Sequence, residues 1–461
     1  MSAPPPGSRR LPYPRWQMPQ PLSRPLPVPV RLVLGLLALT VLGTLALMLP
    51  GMATGRPLTV GEALFTSVSA VTVTGLSVIA PGRELTLLGQ TVLLALMQLG
   101  GVGFMVSAVI ILFLAGRRMG LMERLALRDS LGVLDLGSIR ALTRRTLVVT
   151  VVIEAAGALL LWLHWRSELP EGQAAFYAVF HAVAAFCNAG FDLFTGLPQY
   201  PLGLPNDTIT LVILAALIFL GGLGFPVLYE LVNRRPQRPL SLHARITLTV
   251  VVALVVVGAA GLLLGDVRGV LAAEPGWRRV VIAVFQSVSA RTAGFMGTPN
   301  FDDLSPASQL LIMALMFIGS APASMGGGIT TGTLAVLGIA LWSYAQGLPD
   351  AQVAGRQLTT AAVRRAAAVL SISLAAVVVA TWLILLTNKA PLNVALFEVV
   401  SAFATAGLSL AFTAELNRVG LVIIMVMMFW GRLGAITIVA AIAYRARPPL
   451  VSYPEEPVLL G

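Results

Sequence analysis

Four times along the chain a phenylalanine opens a run of small and apolar residues that closes on a glycine followed by Leu or Phe. The runs extend from Phe65 to Gly75, Phe180 to Gly190, Phe285 to Gly294 and Phe397 to Gly407. Their last three residues are Val73-Thr74-Gly75, Asn188-Ala189-Gly190, Thr292-Ala293-Gly294 and Thr405-Ala406-Gly407. The glycines stand 115, 104 and 113 residues apart. Self-similarity at such intervals marks a repeat architecture, so the fold must accommodate four copies of one unit.

The medium for that unit follows from composition. Apolar residues make up 57% of the chain and charged ones 11%, against roughly 25% charged in soluble domains. Eight apolar runs, at 28–49, 85–115, 141–165, 207–233, 243–265, 306–346, 362–387 and 416–444, are each near or above the roughly 20 residues that span a bilayer. The chain reads as a polytopic membrane protein. The first run is too long for a signal-peptide core and pairs with the second, so it is a retained span. The single cysteine, Cys187, excludes an internal disulfide and a cysteine metal cage.

A net charge of +11 alone would suggest acidic partners or nucleic acid. Its distribution argues otherwise, because 21 of the 31 basic residues lie in the two termini and the alternate loops. The positive-inside rule then places both termini in the cytoplasm and predicts no nucleic-acid binding. The Pro/Arg-rich stretch 1–27 reads as a disordered cytoplasmic arm.

Each phrase falls between two spans, on the acidic side. Two spans per unit return the chain to the same side, so all four units share one orientation and suit a ring about the membrane normal. The predicted fold is all-α: four span–pore helix–span repeats, eight transmembrane helices, in a pseudo-fourfold arrangement around one central pore. The boundaries are 28–115 for repeat 1, 141–233 for repeat 2, 243–346 for repeat 3 and 362–446 for repeat 4. A cytoplasmic linker covers 116–140 and a cytoplasmic tail 447–461. A run such as "GEALFTSVSAV" covers roughly 16 Å as a helix, half the hydrocarbon core. Its negative C-terminal dipole end would favour a cation.

The triplets carry no side-chain charge and offer no nucleophile or base. They offer backbone. A glycine free to take positive φ turns consecutive carbonyls toward one axis, and four such strands replace a cation's hydration shell. The ion is monovalent, since a divalent ion demands carboxylate ligands. There is no H-E-x-x-H motif and no aspartate deep in a span, which argues against an enzyme.

The second spans also align. "LGGVGF" at Leu99–Phe104 and "LGGLGF" at Leu220–Phe225 correspond to "IGSAPA" at Ile318–Ala323 and "WGRLGA" at Trp430–Ala435. Glycines here allow close helix approach or a bend. Arg432 is a charge near mid-membrane and a functional candidate. The third second span is interrupted by "GSAPASMGGGITTGT", Gly319–Thr333, where a continuous helix is excluded by its glycines and proline. Gly319, Pro322, Gly326, Gly327 and Gly328 are read, together with Arg432, as a gate beneath the filter; the alternative is a structural kink.

Taken together, these features resemble the Trk/Ktr/HKT superfamily of potassium transporters over Val28 to Arg445. The resemblance rests on the four TG or AG phrases, the third-repeat "RTAGF", the broken span and "GRLG". With eight spans the chain is most similar to the Ktr-type membrane subunit. The resemblance implies potassium uptake across the cytoplasmic membrane, with K+ passing the filter carbonyls as substrate and Na+ as activator. It implies a homodimer among membrane lipids, seated on a ring of cytoplasmic regulatory subunits that bind the nucleotide, with no cofactor in this chain. Glycine at all four filter positions resembles the potassium-permeable members. A less selective sodium/potassium or a proton-coupled Trk-type transporter is the alternative.

Several residues remain. Arg291, one residue before a triplet, is expected to point behind the filter and pair with Glu398 as a scaffold, ahead of direct ion contact. His181 shares its slot with Thr66, Gln286 and Glu398 and is expected to pack or hydrogen-bond. His164, His181 and His243 form no ligand set. Glu62 complements a helix dipole, and Ser305-Pro306 is an N-cap followed by an N1 proline. Glu154, a carboxylate within a span, is read as a helix–helix hydrogen-bonding residue ahead of ion coupling.

Overall fold

The computed structural model describes residues 28–102, 139–197, 200, 203–232, 240–298 and 300–434. The sequence-predicted arm 1–27, nearly all of the linker 116–140 and the tail 447–461 lie outside the described residues, as do 103–115 of repeat 1 and 435–446 of repeat 4.

Helices dominate the described residues. The first repeat holds α1 (Val28–Leu47), α2 (Val60–Thr72), the one-turn α3 (Pro81–Glu84) and α4 (Leu87–Gly101). The second holds α5 (Ile139–Trp165), α6 (Glu171–Phe186), α7 (Thr208–Gly222) and α8 (Phe225–Val232). The third holds α9 (Leu242–Asp266), α10 (Gly276–Ser289), α11 (Pro306–Ile318) and α12 (Thr331–Ala345). A short hairpin, Gln352–Val353 against Arg356–Gln357, leads to the fourth: α13 (Thr360–Thr387), α14 (Leu392–Ala404) and α15 (Arg418–Leu433).

Helix starts follow their capping residues. Thr59 and Glu62 form a reciprocal capping box at α2. Ser305 caps α11 with Pro306 at its first turn, and Asp207, Ser241, Thr359 and Asn417 cap α7, α9, α13 and α15.

Among the described residues Leu147–Trp165, Leu242–Asp266 and Thr360–Thr387 are individually long and apolar enough to cross a bilayer. The pair α7 and α8 passes together as a fourth, bent by 107° at its break. These long helices turn apolar side chains outward: Val151, Val152, Leu159 and Leu160 on α5, Val252 and Val256 on α9, and Val378 and Val379 on α13 are exposed. The short helices α2, α6, α10 and α14 are buried, and α2 buries Thr66, Ser67, Ser69 and Thr72. An apolar exterior around a centre of small polar residues is the arrangement a lipid solvent selects.

The short helices are anchored by the phenylalanines that open the four phrases, all fully buried. Each lies within a cycle of contacts. Helix α4 packs on α6, α7 on α10, α11 on α14, and α15 on α2. Every repeat therefore lays its second apolar segment against the short helix of the next, and the fourth closes on the first.

The mid-span glycines do both things that sequence allows. A Cβ at Gly100, Gly221 or Gly431 would lie 2.2, 1.9 or 1.7 Å from the carbonyl oxygen of Val71, Phe186 or Phe403. These three positions thus bring each second segment onto the end of its own repeat's short helix. In repeat 2 the following residues also make the bend, where Gly224 has φ 82°.

Candidate functional site

The C-terminal ends of α2, α6, α10 and α14 lead directly into the four triplets. The first residue of each triplet takes left-handed backbone, with φ 58° at Val73, 57° at Asn188, 84° at Thr292 and 52° at Thr405. The glycines do so again, with φ 92° at Gly75, 66° at Gly190, 76° at Gly294 and 82° at Gly407. Left-handed backbone at β-branched Val73, Thr292 and Thr405 costs on the order of 1–3 kcal/mol each and persists only where the surroundings dictate it.

The surroundings are the neighbouring triplets. A Cβ on Gly75 would stand 2.5 Å from the Ala189 oxygen, and one on Gly190 would stand 2.7 Å from the Ala293 oxygen. One on Gly294 would stand 2.7 Å from the Ala406 oxygen, and one on Gly407 would stand 2.1 Å from the Thr74 oxygen. The four strands therefore form a closed ring in the order 1-2-3-4, with a middle-residue carbonyl at every seam and no room for a side chain. Backbone oxygens and helix C-terminal dipoles suit a partly dehydrated monovalent cation, and the triplets contain no acid–base or nucleophilic group.

Repeat 3 differs in detail. The middle N–H folds back onto the short helix as Thr74 to Ser69, Ala189 to Ala184 and Ala406 to Ser401, at 2.8, 2.7 and 2.8 Å, whereas Ala293 bonds Ser289 at 2.8 Å. The cause is in the sequence: the stretch from Phe285 to Gly294 is one residue shorter than its three counterparts. Counting from phenylalanine to glycine reveals this, and aligning on the triplets alone hides it.

Beyond the glycines lies a cavity of about 410 Å³ lined by Gly75, Gly190, Gly294 and Gly407, whose charged lining residues are Asp192 and Asp302. At the other end of the triplets sits the loop between α11 and α12. Gly319 ends α11 with φ 72°. The Gly327 N–H donates to the Thr405 hydroxyl at 3.0 Å, and a Cβ on Gly326 would lie 1.9 Å from Thr292 Oγ1. The loop is pinned to the bend of repeat 2: Ala321 and Met325 donate to Gly222 and Gly221 at 3.0 and 3.4 Å, and Phe225 donates to Ala323 at 3.0 Å. A Cβ on Gly224 would stand 2.4 Å from the Pro322 oxygen, and one on Gly319 would stand 2.2 Å from the Gly327 oxygen and 3.1 Å from the Gly328 Cα. The expected gate residues are thus one contiguous loop against the ring.

Arg432 joins that loop. Its guanidinium donates to the Met325 carbonyl and to Gly100 and Gly101, at 2.5 and 3.1 Å for the last two. It holds the end of α4 and the loop together.

Arg291 and Glu398, expected as a pair, do not pair among the described residues. Arg291 is buried and donates to the Val251 carbonyl at 3.3 Å. Glu398 accepts from Ser409 at 2.7 Å and from the Thr413 hydroxyl. The physical reason is direction: Arg291 sits on the shortened segment and reaches outward to α9, whereas Glu398 reaches along its own repeat. Glu154 makes the helix–helix hydrogen bond expected of it, with Gln98 as the partner that the sequence did not name. Gln98 donates to it at 3.0 Å and accepts from Cys187 at 3.2 Å, so the carboxylate links α5 to α4 as a helix–helix hydrogen bond. His181 donates to the Tyr177 carbonyl, accepts the Leu193 N–H beside Asp192, and sits at no metal cluster among the described residues.

A family profile described as "TrkH: Cation transport protein" matches residues 31–446. The Ktr system potassium uptake protein B of Vibrio alginolyticus is 36% identical over 414 residues, 88% of this chain and 89% of that protein. The potassium/sodium uptake protein NtpJ of Enterococcus hirae is 31% identical over 407 residues, 87% of this chain and 89% of that one. The fold matches the crystal structure of the potassium transporter TrkH from Vibrio parahaemolyticus with a TM-score of 0.71 at 21% identity, covering 89% of this chain and 83% of that one. The apolar helices, the ring and these likenesses agree: this multi-pass membrane protein is a transporter, not an enzyme, and belongs to the TrkH family of cation transport proteins.

Proposed function

We propose that the chain carries potassium into the cell through the four-strand ring, as the membrane subunit of a Ktr-type system. The observation that carries this reading is the closed ring, in which each of four glycines packs on the carbonyl of the next strand. Potassium is supported by the likeness to a protein named for potassium uptake. All eight apolar segments cross the cytoplasmic membrane around the one pore, with both termini in the cytoplasm, an orientation supported by the basic excess of the termini and alternate loops. The carboxylate-lined cavity is then the outer mouth, which concentrates cations.

The loop Gly319–Thr330 and Arg432 close the inner end of the path at rest. A cytoplasmic nucleotide-binding ring beneath a homodimer moves the loop, and sodium stimulates transport. Uptake of rubidium by potassium-uptake-deficient cells expressing the full chain, with and without sodium and the regulatory subunit, tests this reading. Rescue of growth at low potassium supports it, and absence of any monovalent cation uptake from a membrane-inserted chain overturns it. The likeness to a potassium/sodium uptake protein favours a second reading, a less selective sodium/potassium carrier; equal uptake of the two ions would support that one.

A further inference from the structure

The residue after each opening phenylalanine is Thr66, His181, Gln286 or Glu398, all buried. In three repeats its side chain spans from the short helix to the segment just past the filter glycine. His181 Nδ1 donates to the Tyr177 carbonyl at 2.7 Å, and its Nε2 accepts the Leu193 N–H at 3.3 Å, beside the Asp192 carboxylate. Gln286 Oε1 accepts the Gly297 N–H at 2.9 Å. Glu398 accepts the Ser409 hydroxyl at 2.7 Å through Oε2 and the Thr413 hydroxyl through Oε1. Asp192, Ser409 and Thr413 line the cavity beyond the glycines. In repeat 1 Thr66 is too short, and its Oγ1 is buried without a hydrogen-bond partner among the described residues.

A ring of carbonyls distinguishes ions by cavity size or by the field of a fixed number of dipoles, and either requires the strands to resist relaxing around the wrong ion. Hydrogen bonds from the short helix to the chain just past the glycine add to that resistance. The bonded atoms differ among the repeats (backbone N–H to imidazole, backbone N–H to amide oxygen, two hydroxyls to carboxylate), yet they join the same two places. That recurrence separates them from incidental core hydrogen bonds.

We propose that His181, Gln286 and Glu398 are specificity-determining positioning residues, which brace the lip of the ring and so set the preference of the path for one monovalent cation over another. The proposal rests on the reading of the triplets as the ion path. Repeat 1 has no such brace from Thr66; there the Gly75 N–H donates to the Ser69 hydroxyl at 3.0 Å instead.

The test compares rubidium and sodium uptake by the full-length chain in potassium-uptake-deficient cells. Glu398→Ala should lower the rubidium-to-sodium preference at least about fivefold, because two buried hydroxyls lose their acceptor. Glu398→Gln should restore the preference to within about twofold of the parent: its Oε1 still accepts from Ser409, and its amide donates to Thr413, whose proton turns to Ser409. Thr66→Ala, which removes a hydroxyl without a hydrogen-bond partner among the described residues, should leave the preference unchanged. A parental preference in Glu398→Ala, or an equal loss in Thr66→Ala, overturns the proposal. Should Glu398→Ala fail to reach the membrane, Ser409→Ala decides instead, with an expected loss of at least about twofold and an unchanged preference overturning the braces. A parent that moves neither ion overturns the proposed path itself, an outcome distinct from all of these.

Discussion

The backbone N–H of Gly327 donates to the hydroxyl of Thr405 at 3.0 Å, tying the interrupted segment of repeat 3 to the filter strand of repeat 4. Both are set where irregular backbone is tolerated only if protein or pore water surrounds it. The contact places the loop at the end of the ring opposite the glycines. Shortening Ala323–Gly328 removes this bond and the Phe225–Ala323 bond that anchors the loop to the bend. Rubidium flux without nucleotide or partner should then rise at least about tenfold, a relief of about 1.4 kcal/mol, with ion preference retained. A well-expressed deletion that still needs the partner for full flux means the loop is not the gate.

Arg432 adds a positive charge and a latch at that end. At an assumed 8 Å and an effective dielectric of about 20 its repulsion of a monovalent cation is about 2 kcal/mol. Arg432→Ala removes that repulsion and the bonds to Met325, Gly100 and Gly101, so rubidium flux should rise by more than about tenfold. Arg432→Lys keeps the charge but cannot fork among three carbonyls, and should raise flux less. A folded Arg432→Ala protein with parental or lower flux contradicts both roles.

Among the described residues Arg291 has no carboxylate partner to strand. Its recorded hydrogen bond is to Val251, a carbonyl within α9 that also serves the helix ladder. Arg291→Met relieves the desolvation of a buried charge and should leave stability within about 1 kcal/mol of the parent or raise it. Thermal unfolding in detergent measures this. A loss of several kcal/mol would mean that Arg291 belongs to an ion pair after all.

What the sequence reveals here is whatever recurs or obeys a local rule. The phenylalanine and glycine of each phrase, the Ser305–Pro306 cap and the break after Ile318 are all legible because propensity and spacing alone dictate them. Glu62, by contrast, read only as complementing a dipole, also closes a capping box with Thr59. The partners of charges are not legible in the same way. Arg432 and Arg291 bond backbone carbonyls, which every residue possesses, so no pattern of acidic residues could reveal them. Pairing Arg291 with Glu398 by charge failed because the shortened third phrase turns the arginine toward α9. The 107° bend between α7 and α8 is written only as "GGLG", the same letters that serve close packing elsewhere.

Glu62 gives a pH dependence with a definite sign. Hydrogen bonds from the Arg56 guanidinium, aided by the Thr59 N–H, hold its carboxyl down to about 2 from 4.5. The folded value lies below the unfolded one, so the stabilisation is present above about pH 4.5 and is lost as pH falls toward about 2. Arg56 is exposed and Glu62 half-buried, so solvent screens the pair. Glu62→Gln should therefore lower the melting midpoint at pH 7 by only about 1–2 °C, with no difference near pH 2. A difference that persists at pH 2 would assign the effect to something other than this ion pair.

The central claim is that the four glycines close a ring of carbonyls that selects the ion, and Gly75 tests it most directly. It holds φ 92°, and a Cβ there would stand 2.5 Å from the Ala189 oxygen and 2.9 Å from the Gly190 Cα. A serine must push the first strand off the second or leave its left-handed backbone, and either widens one seam of the ring. The measurement is rubidium uptake by Gly75→Ser in competition with sodium, in a protein that reaches the membrane at parental levels. The account predicts that rubidium loses its advantage by about tenfold or more, the equivalent of about 1.4 kcal/mol. Competition curves that superimpose on those of the parent would contradict it.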